Sequence, residues 1–270
     1  MQEQLNQQKT LEQSLRKAIN NNELDIHFQP QVDMQTLQLI GVEALVRWKS
    51  EHGAYISPKK IIEVAEQTGL MQHLGHWIID RALADFSYML DQRCAPGKMS
   101  INLSGKEFHN GYLADYILQT IRRYDIPPSR VQIELTEQTF IENIEENRDT
   151  LNRLTLAGIS VAIDDFGTGY SSLAYLKHYP VDSIKIDKSF ISDLPKSKDD
   201  LIICQTMVSM ANLLSLKVIA EGVETLDQHE VLKNIGCSYG QGQHYFNVMK
   251  TDDILSIVKE QKAGRVYPGF

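Results

Sequence analysis

The sequence predicts an α/β fold: a TIM-like (βα)8 barrel in which one strand, from an N-terminal hairpin, runs against the others. Three observations carry this. Eight short apolar runs alternate with helical patterns. The connections between them are short, with no linker, low-complexity tract or strong internal repeat, and such alternation gives a closed barrel or a doubly wound sheet. The length, 270 residues, suits a single barrel, which typically takes about 250.

Residues 1–22 are rich in Gln and Asn, with Leu11, Leu15, Ala18 and Ile19 at helical spacing. They are read as an amphipathic lead-in or linker helix before a barrel domain over 23–262, with 263–270 as a tail. Leu24 to Val32 and Leu37 to Trp48 are strand-like and joined by Asp33-Met-Gln-Thr36, too short a link for anything but an antiparallel pair. Pro58 to Gly69 is a helix with proline near its start and glycine past its end, and a second helix follows over about 72–92. Strand three is Lys98 to Ser104. The period then becomes regular: helix 111–124, strand Val131 to Thr136, helix 145–157, strand Ile159 to Ile163. Leu173, Leu176 and Lys177 suggest a helix running to Tyr179, with Ser171 or Ser172 as its cap. Strand six spans Asp182 to Asp187, helix 198–214 leads to strand seven at Lys217 to Ala220, and helix 226–235 leads to strand eight at Cys237 to Gly240. A last helix covers about 251–260.

Composition excludes several classes of function. The formal charge of −8 argues against broad binding to DNA or another polyanion, though not against a nucleotide held through metal ions. Cys94, Cys204 and Cys237 are odd in number and show no CxxC spacing, so neither a disulfide framework nor a zinc knuckle is expected. No apolar run approaches ~20 residues and no signal peptide opens the chain, so a cytoplasmic location is expected. There is no GxSxG elbow, HExxH or Walker loop.

Strands two to eight carry oxygen-rich or cationic side chains at or near their ends: Glu43, Asn102, Glu134, Asp164 with Asp165, Lys185, Glu221 with Glu224, and Gln241. Each belongs to a different strand–helix unit, so proximity in sequence does not explain them, whereas convergence at one barrel mouth does. Glu43 sits between Val42 and Ala44-Leu-Val46, where a charge needs a partner. The pleat puts Arg47 on its face, so a Glu43–Arg47 ion pair is one explanation and a site is the other. Asp164 and Asp165 repel each other unless a cation sits between them. Carboxylate and amide oxygens are hard ligands that suit Mg2+ or Mn2+, and their number leaves room for two ions, an arrangement suited to phosphodiester hydrolysis. Lys185 among carboxylates keeps its charge and so acts as an orienting group rather than a base. Arg47 at the rim is placed to hold a phosphate as a fork. His27, on the first strand, is a core or hairpin residue.

The motifs Glu43-Ala-Leu45, Asn102-Leu-Ser104, Glu134-Leu-Thr-Glu137, Asp164-Asp-Phe-Gly-Thr-Gly-Tyr-Ser-Ser172, Lys185-Ile-Asp187, Glu221-Gly-Val-Glu224 and Gln241-Gly242 stand in one order and spacing. In this the chain resembles the EAL-domain cyclic-di-GMP phosphodiesterases, over about residues 11–258. The resemblance implies Mg2+- or Mn2+-dependent hydrolysis of one phosphodiester bond of cyclic-di-GMP, giving linear pGpG. It implies that Glu43, Asn102, Glu134 and Asp164 hold a first metal and that Asp165 holds a second, with Asp164 bridging and Glu221 close by. Lys185 would contact the nucleophilic water, and the choice of Glu221 as general base stays open. Gln29, Leu45, Arg47, Glu224 and Gln241 would face the substrate, and Glu137 would brace the 165–172 loop. A homodimer and an upstream sensory or diguanylate-cyclase-type domain are implied as well. The alternative is a relative that binds the dinucleotide or a protein partner without cleaving it; such relatives lose a carboxylate or the lysine, and this chain keeps them. In one departure, Gln243 and Val248 stand where relatives usually carry an aromatic residue and a proline.

Overall fold

The structure, a computed structural model, describes residues 2–50, 53–108, 112–142, 144–169, 176 and 179–264. Strands β1 (Leu24–Asp33) and β2 (Leu39–Lys49) form the expected antiparallel hairpin. Its turn is built by Asp33, whose Oδ1 accepts from the N–H groups of Gln35 (2.9 Å) and Thr36 (2.8 Å), while Leu37 at φ 56° turns the chain back. A two-residue strand, β3 (Tyr55–Ile56), pairs with the end of β2. Strands β4 (Lys98–Leu103), β5 (Val131–Thr136), β6 (Ser160–Phe166), β7 (Ser183–Ile186), β8 (Lys217–Ala220) and β9 (Tyr239–Gln241) follow, each parallel to the next.

The ring runs β1-β9-β8-β7-β6-β5-β4-β2 and closes through β1–β2. Strand β1 is antiparallel to both neighbours and β2 is parallel to β4, so the barrel has eight strands with one reversed, and β3 hangs from its edge. The outer layer holds helices α1 (Gln2–Asn20), α2 (Pro58–Thr68), α3 (Met71–Asp91), α4 (Leu113–Arg123), α5 (Ile144–Leu156), α6 (Lys198–Leu213), α7 (Leu226–Asn234) and α8 (Thr251–Lys262). Helix α2 starts and stops as its sequence dictates: Ser57 Oγ accepts from Lys60 N–H, Pro58 fills the first turn, and Gly69 closes it at φ 71°. Helix α1 docks on the barrel through buried Leu15 and Ala18, and Trp77 Nε1 donates to Asn22 Oδ1 at 3.0 Å.

The period-two pattern of the strands separates two environments. Val42, Met99, Ile101, Ile133, Val161, Ile163, Ile184 and Ile186 are buried among helix residues such as Leu83, Phe86, Ile117 and Val208. Each such side chain contributes roughly 1.5–3 kcal/mol. The alternate positions face the lumen and are mostly polar: Ser100, Gln132, Glu134, Ser160, Asp164, Ser183 and Lys185 are all buried, with Ala162 and Ile219 as apolar members. A barrel lumen is ordinarily filled by layers of branched apolar side chains. Here it is a polar shaft.

Several strand boundaries differ from the sequence reading. Strand β2 begins at Leu39 because Leu37 belongs to the turn, and β4 and β7 are trimmed by a residue at their ends. Two further differences bear on the site. The eighth barrel strand is Tyr239–Gln241 rather than Cys237 to Gly240, because Cys237 N–H still bonds back to Leu232 O and completes the end of α7 around Gly236 at φ 88°. The strand expected to end at Ile163 runs on to Phe166 and takes in the aspartate pair. The helix expected through Leu173 and Lys177, with its serine cap, lies outside the described residues apart from Leu176 and Tyr179.

Candidate active site

The aspartate pair sits in a bulge. Between Ile163–Ile184 and Phe166–Ile186 the β6–β7 register slips by one residue, and Asp165 takes a left-handed φ of 52°. On a regular strand consecutive side chains point to opposite faces. An extra residue re-aims one of them, and here it brings Asp164 and Asp165 to the same mouth: ligand oxygens of Asp164, Asp165 and Glu221 lie within 4.8 Å of one another. Beyond the bulge, Glu137 Oε2 accepts from the N–H groups of Gly167 (2.8 Å) and Gly169 (3.3 Å). Gly167 is held at φ 98°, and a Cβ there would lie 2.2 Å from Met207 Cε.

Register brings the other acids to the same level. Gln29 pairs with Glu43 across the hairpin, Asn102 with Glu134, and Thr136 with Asp164. At the centre stands Lys185, fully buried, with its Nζ 2.5 Å from Glu134 Oε2, 2.6 Å from Glu221 Oε1, 3.2 Å from Asp164 Oδ1 and 3.3 Å from Glu43 Oε2. Asn102 Nδ2 donates to Glu43 Oε1 at 2.6 Å, and Gln241 Nε2 donates to Glu43 Oε2 (2.6 Å) and Gln29 Oε1 (3.0 Å). Gln31 completes the chain by donating to Gln241 Oε1. Glu43, Glu134 and Asp164 form a second trio within 4.8 Å, sharing Asp164 with the first.

Burial works against the Lys185 ammonium, but Asp164, Glu134, Glu221 and Glu43 outweigh it and hold its pKa well above the usual lysine value. For the acids, burial raises the pKa and Lys185 lowers it, with different outcomes. Glu134 is pushed up to about 7, with Glu43 and Asp164 adding repulsion. Glu221 rises well above the carboxylate range. Glu43 ends below it, because Lys185 and the amides of Gln241 and Asn102 outweigh its desolvation. One lysine cannot neutralise four carboxylates, and burial with mutual repulsion raises the pKa of Glu134 and Glu221. Crowded oxygen donors of this kind are ones that divalent cations can occupy, in competition with protons.

A cleft of about 270 Å3 opens over this cluster, walled by Gln29, Glu43, Asp164, Lys188, Glu221, Glu224 and Gln241, with Gln243 at its edge. A larger cavity, about 600 Å3, lies between the barrel wall and helices α2 and α3, with Leu45 and Asn102 in its lining. The smaller space is the one lined by Glu43, Asp164 and Glu221 of the two carboxylate trios. Arg47 lines neither cavity; its guanidinium donates to Val46 O at 3.0 Å, and no Glu43–Arg47 ion pair occurs among the described residues. His27 is partly buried on β1 with Asp25 at 3.4 Å.

Sequence reasoning quoted Asp187 in the Lys185-Ile-Asp187 motif without giving it a role, and passed over Lys188. Asp187 lies against Asp165, whose pKa is raised by burial and by the neighbouring carboxyl groups of Asp164 and Asp187. The signal was available: Asp187 follows Lys185 by two residues and so shares its face.

A family model described as EAL domain matches residues 12–247. MucR of Pseudomonas aeruginosa, named a bifunctional diguanylate cyclase/cyclic di-GMP phosphodiesterase, is 37% identical over 244 residues, covering 90% of this chain and 36% of MucR. NbdA of the same organism, named a cyclic di-GMP phosphodiesterase, is 35% identical over 236 residues, covering 87% of this chain and 30% of its own. Among solved structures, the MucR phosphodiesterase in complex with c-di-GMP superposes with a TM-score of 0.86 at 36% identity, covering 90% of this chain and 98% of that one. The EAL enzyme Bd1971, in a form bound to cAMP and cyclic-di-GMP, gives a TM-score of 0.89 at 29% identity, covering 94% and 70%. The chain spans about a third of the length of these curated relatives.

Proposed function

Because this chain belongs to the EAL domain family, we propose that it is a divalent-cation-dependent phosphodiesterase that hydrolyses cyclic-di-GMP to linear pGpG. The observation that carries this is the meeting of Glu43, Glu134, Asp164 and Glu221 around Lys185, in two oxygen trios that share Asp164. The donor set is all oxygen, which fits Mg2+ or Mn2+. Glu43, Glu134, Asp164 and Asn102 would hold one ion and Asp164, Asp165 and Glu221 the other. Asn102 must then turn its Oδ1 inward, since its Nδ2 now faces Glu43. Bound cations lower the pKa of an attacking water and stabilise charge on the phosphate oxygens.

The protein's own groups do the rest. Lys185, locked in its charged form, orients the water and cannot accept its proton. Glu221, at the cleft wall beside Lys185, would help orient the same water. Glu137 holds the backbone of Gly167 and Gly169 and so keeps the aspartate bulge in place. Gln29, Gln241 and Glu224 face the ring of the substrate, Leu45 takes a base at the rim, and Arg47 reaches a phosphate only by leaving the Val46 carbonyl. The complete acid set favours turnover over non-hydrolytic binding.

Among the described residues no helix is long and apolar enough to cross a membrane. A cytoplasmic location, a homodimer, and an upstream regulatory module joined through residues 1–22 belong to the same proposal. The deciding experiment is incubation with cyclic-di-GMP and Mg2+, then chromatography of the products. Linear pGpG that vanishes with excess chelator is expected. Intact cyclic-di-GMP in Mg2+ and in Mn2+ would refute the assignment.

A further inference from the structure

The charged groups on the walls of the cleft are acidic except at one point. Glu43, Asp164, Glu221 and Glu224 line it, and Lys188 is the one cation among its described lining residues, since Lys185 lies buried beneath. Lys188 is exposed and makes no ion pair within 4.0 Å of any described residue. Its root, unlike its tip, is fixed. Lys188 opens a short 3-10 turn that Asp187 caps through Ser189 N–H at 3.0 Å, and Lys188 O accepts from Ile191 N–H (3.0 Å) and Ser192 N–H (2.9 Å). On the opposite side Gly222, at φ 65°, packs so closely that a Cβ there would lie 2.7 Å from Lys188 Cβ. The lysine stem therefore rises from a fixed point beside Glu221, with its ammonium left over for a ligand.

A cyclic dinucleotide carries two phosphates. On the phosphodiesterase reading, the one to be cleaved would lie over the two oxygen trios, where cations and Lys185 would compensate its charge. The second would lie across the same ring, over a cleft whose walls are otherwise carboxylates and amides. We propose that Lys188 is a further substrate-positioning residue, binding the phosphate that is not cleaved. This rests on the phosphodiesterase reading above. An ammonium is suited to the task as a point charge on a flexible stem, and the packing of Gly222 against that stem gives the glycine a role beyond its backbone angle.

Steady-state kinetics in Mg2+ test this with Lys188→Gln, Lys188→Arg and, as a control at the last turn of α8, Lys259→Gln. The expected result for Lys188→Gln is a KM for cyclic-di-GMP raised about tenfold, a single charged contact being worth about that factor, with kcat within about threefold. Lys188→Arg restores most of the loss, and Lys259→Gln behaves as wild type. With bis(p-nitrophenyl) phosphate, which has no second phosphate, Lys188→Gln and wild type should match. An unchanged KM for cyclic-di-GMP overturns the proposal and leaves the phosphodiesterase reading intact. Equal losses on both substrates also overturn it, because Lys188 would then serve the scissile phosphate. A wild-type protein that cleaves no cyclic-di-GMP overturns both.

Discussion

Lys185 and Lys98 both point into the barrel lumen, one from β7 and one from β4, and the two ends of the shaft treat them in opposite ways. Lys98, at the start of its strand, donates to Ser160 Oγ across β5. Burial and the nearby Lys217 push its pKa down, with Asp182 pulling only partly back. Lys185, near the end of its strand, is the more deeply buried, yet four carboxylates hold its pKa well up. Desolvation alone therefore does not decide what a lumen lysine is. Partners decide it, and they gather at the end where strands give way to loops. The other end is lined with Ser100, Gln132, Ser160 and Ser183, which hydrogen-bond or pack but hold little charge. The two halves teach that one scaffold can carry a mostly uncharged polar end and a charged mouth a few rungs apart.

The contrast can be broken at its acidic end first. Glu43→Ala removes the carboxylate that touches Lys185, Asn102 and Gln241 together. Turnover of cyclic-di-GMP should fall by more than the roughly 10–100-fold expected for loss of an outer-shell partner, and near-wild-type rates from that variant would sink the site. Next in size, Lys185→Met leaves buried acids with no cation. In excess chelator at pH 8 its stability should drop by about 3–5 kcal/mol, read from the urea midpoint, with much of it regained in Mg2+. An unmoved midpoint would mean the lysine does not hold the cluster together.

A subtler effect comes from pH. The folded pKa of Glu134, about 7, lies above its ordinary 4.5, so its protonated form is favoured by folding. That contribution is complete below about pH 4.5 and lost as pH rises through about 7. Glu221 acts in the same direction. Chelated protein should therefore show a melting temperature that declines from pH 5 to pH 8, and Mg2+ should flatten the decline by taking the place of the protons. A melting temperature that climbs over this range would contradict the raised values. The smallest effect is expected at the neutral end: Lys98→Met should change stability by no more than about 1 kcal/mol and leave kcat alone. A large loss there would erase the distinction between the two lysines.

Much of this was legible in the letters. Strand period, the short link at Asp33 to Thr36, and helix-end signals such as Pro58 and Gly69 act over a few residues, so the alternation of elements and the reversed first strand could be read directly. The oxygen-rich set could be read as well, because a charge such as Glu43 inside an apolar run demands an explanation. The run of three residues at Tyr239–Gln241 was harder, since Cys237 is claimed by the helix before it. Asp187 was visible in principle from its spacing to Lys185. Lys188 was not, because nothing local says that Gly222 will press against its stem.

By itself, then, the sequence determined the barrel class, the hard-oxygen chemistry and the strands that bear it, since these follow from local periodicity and residue type. Only the tertiary structure decided that four acids share one lysine, that Asp164 and Asp165 turn to the same side through a bulge with Asp165 at φ 52°, and that Arg47 lies on the Val46 carbonyl. The reason is physical: these arrangements depend on the register of strands far apart in the chain and on closure of the ring. Both are settled by the balance of burial and charge over the whole barrel.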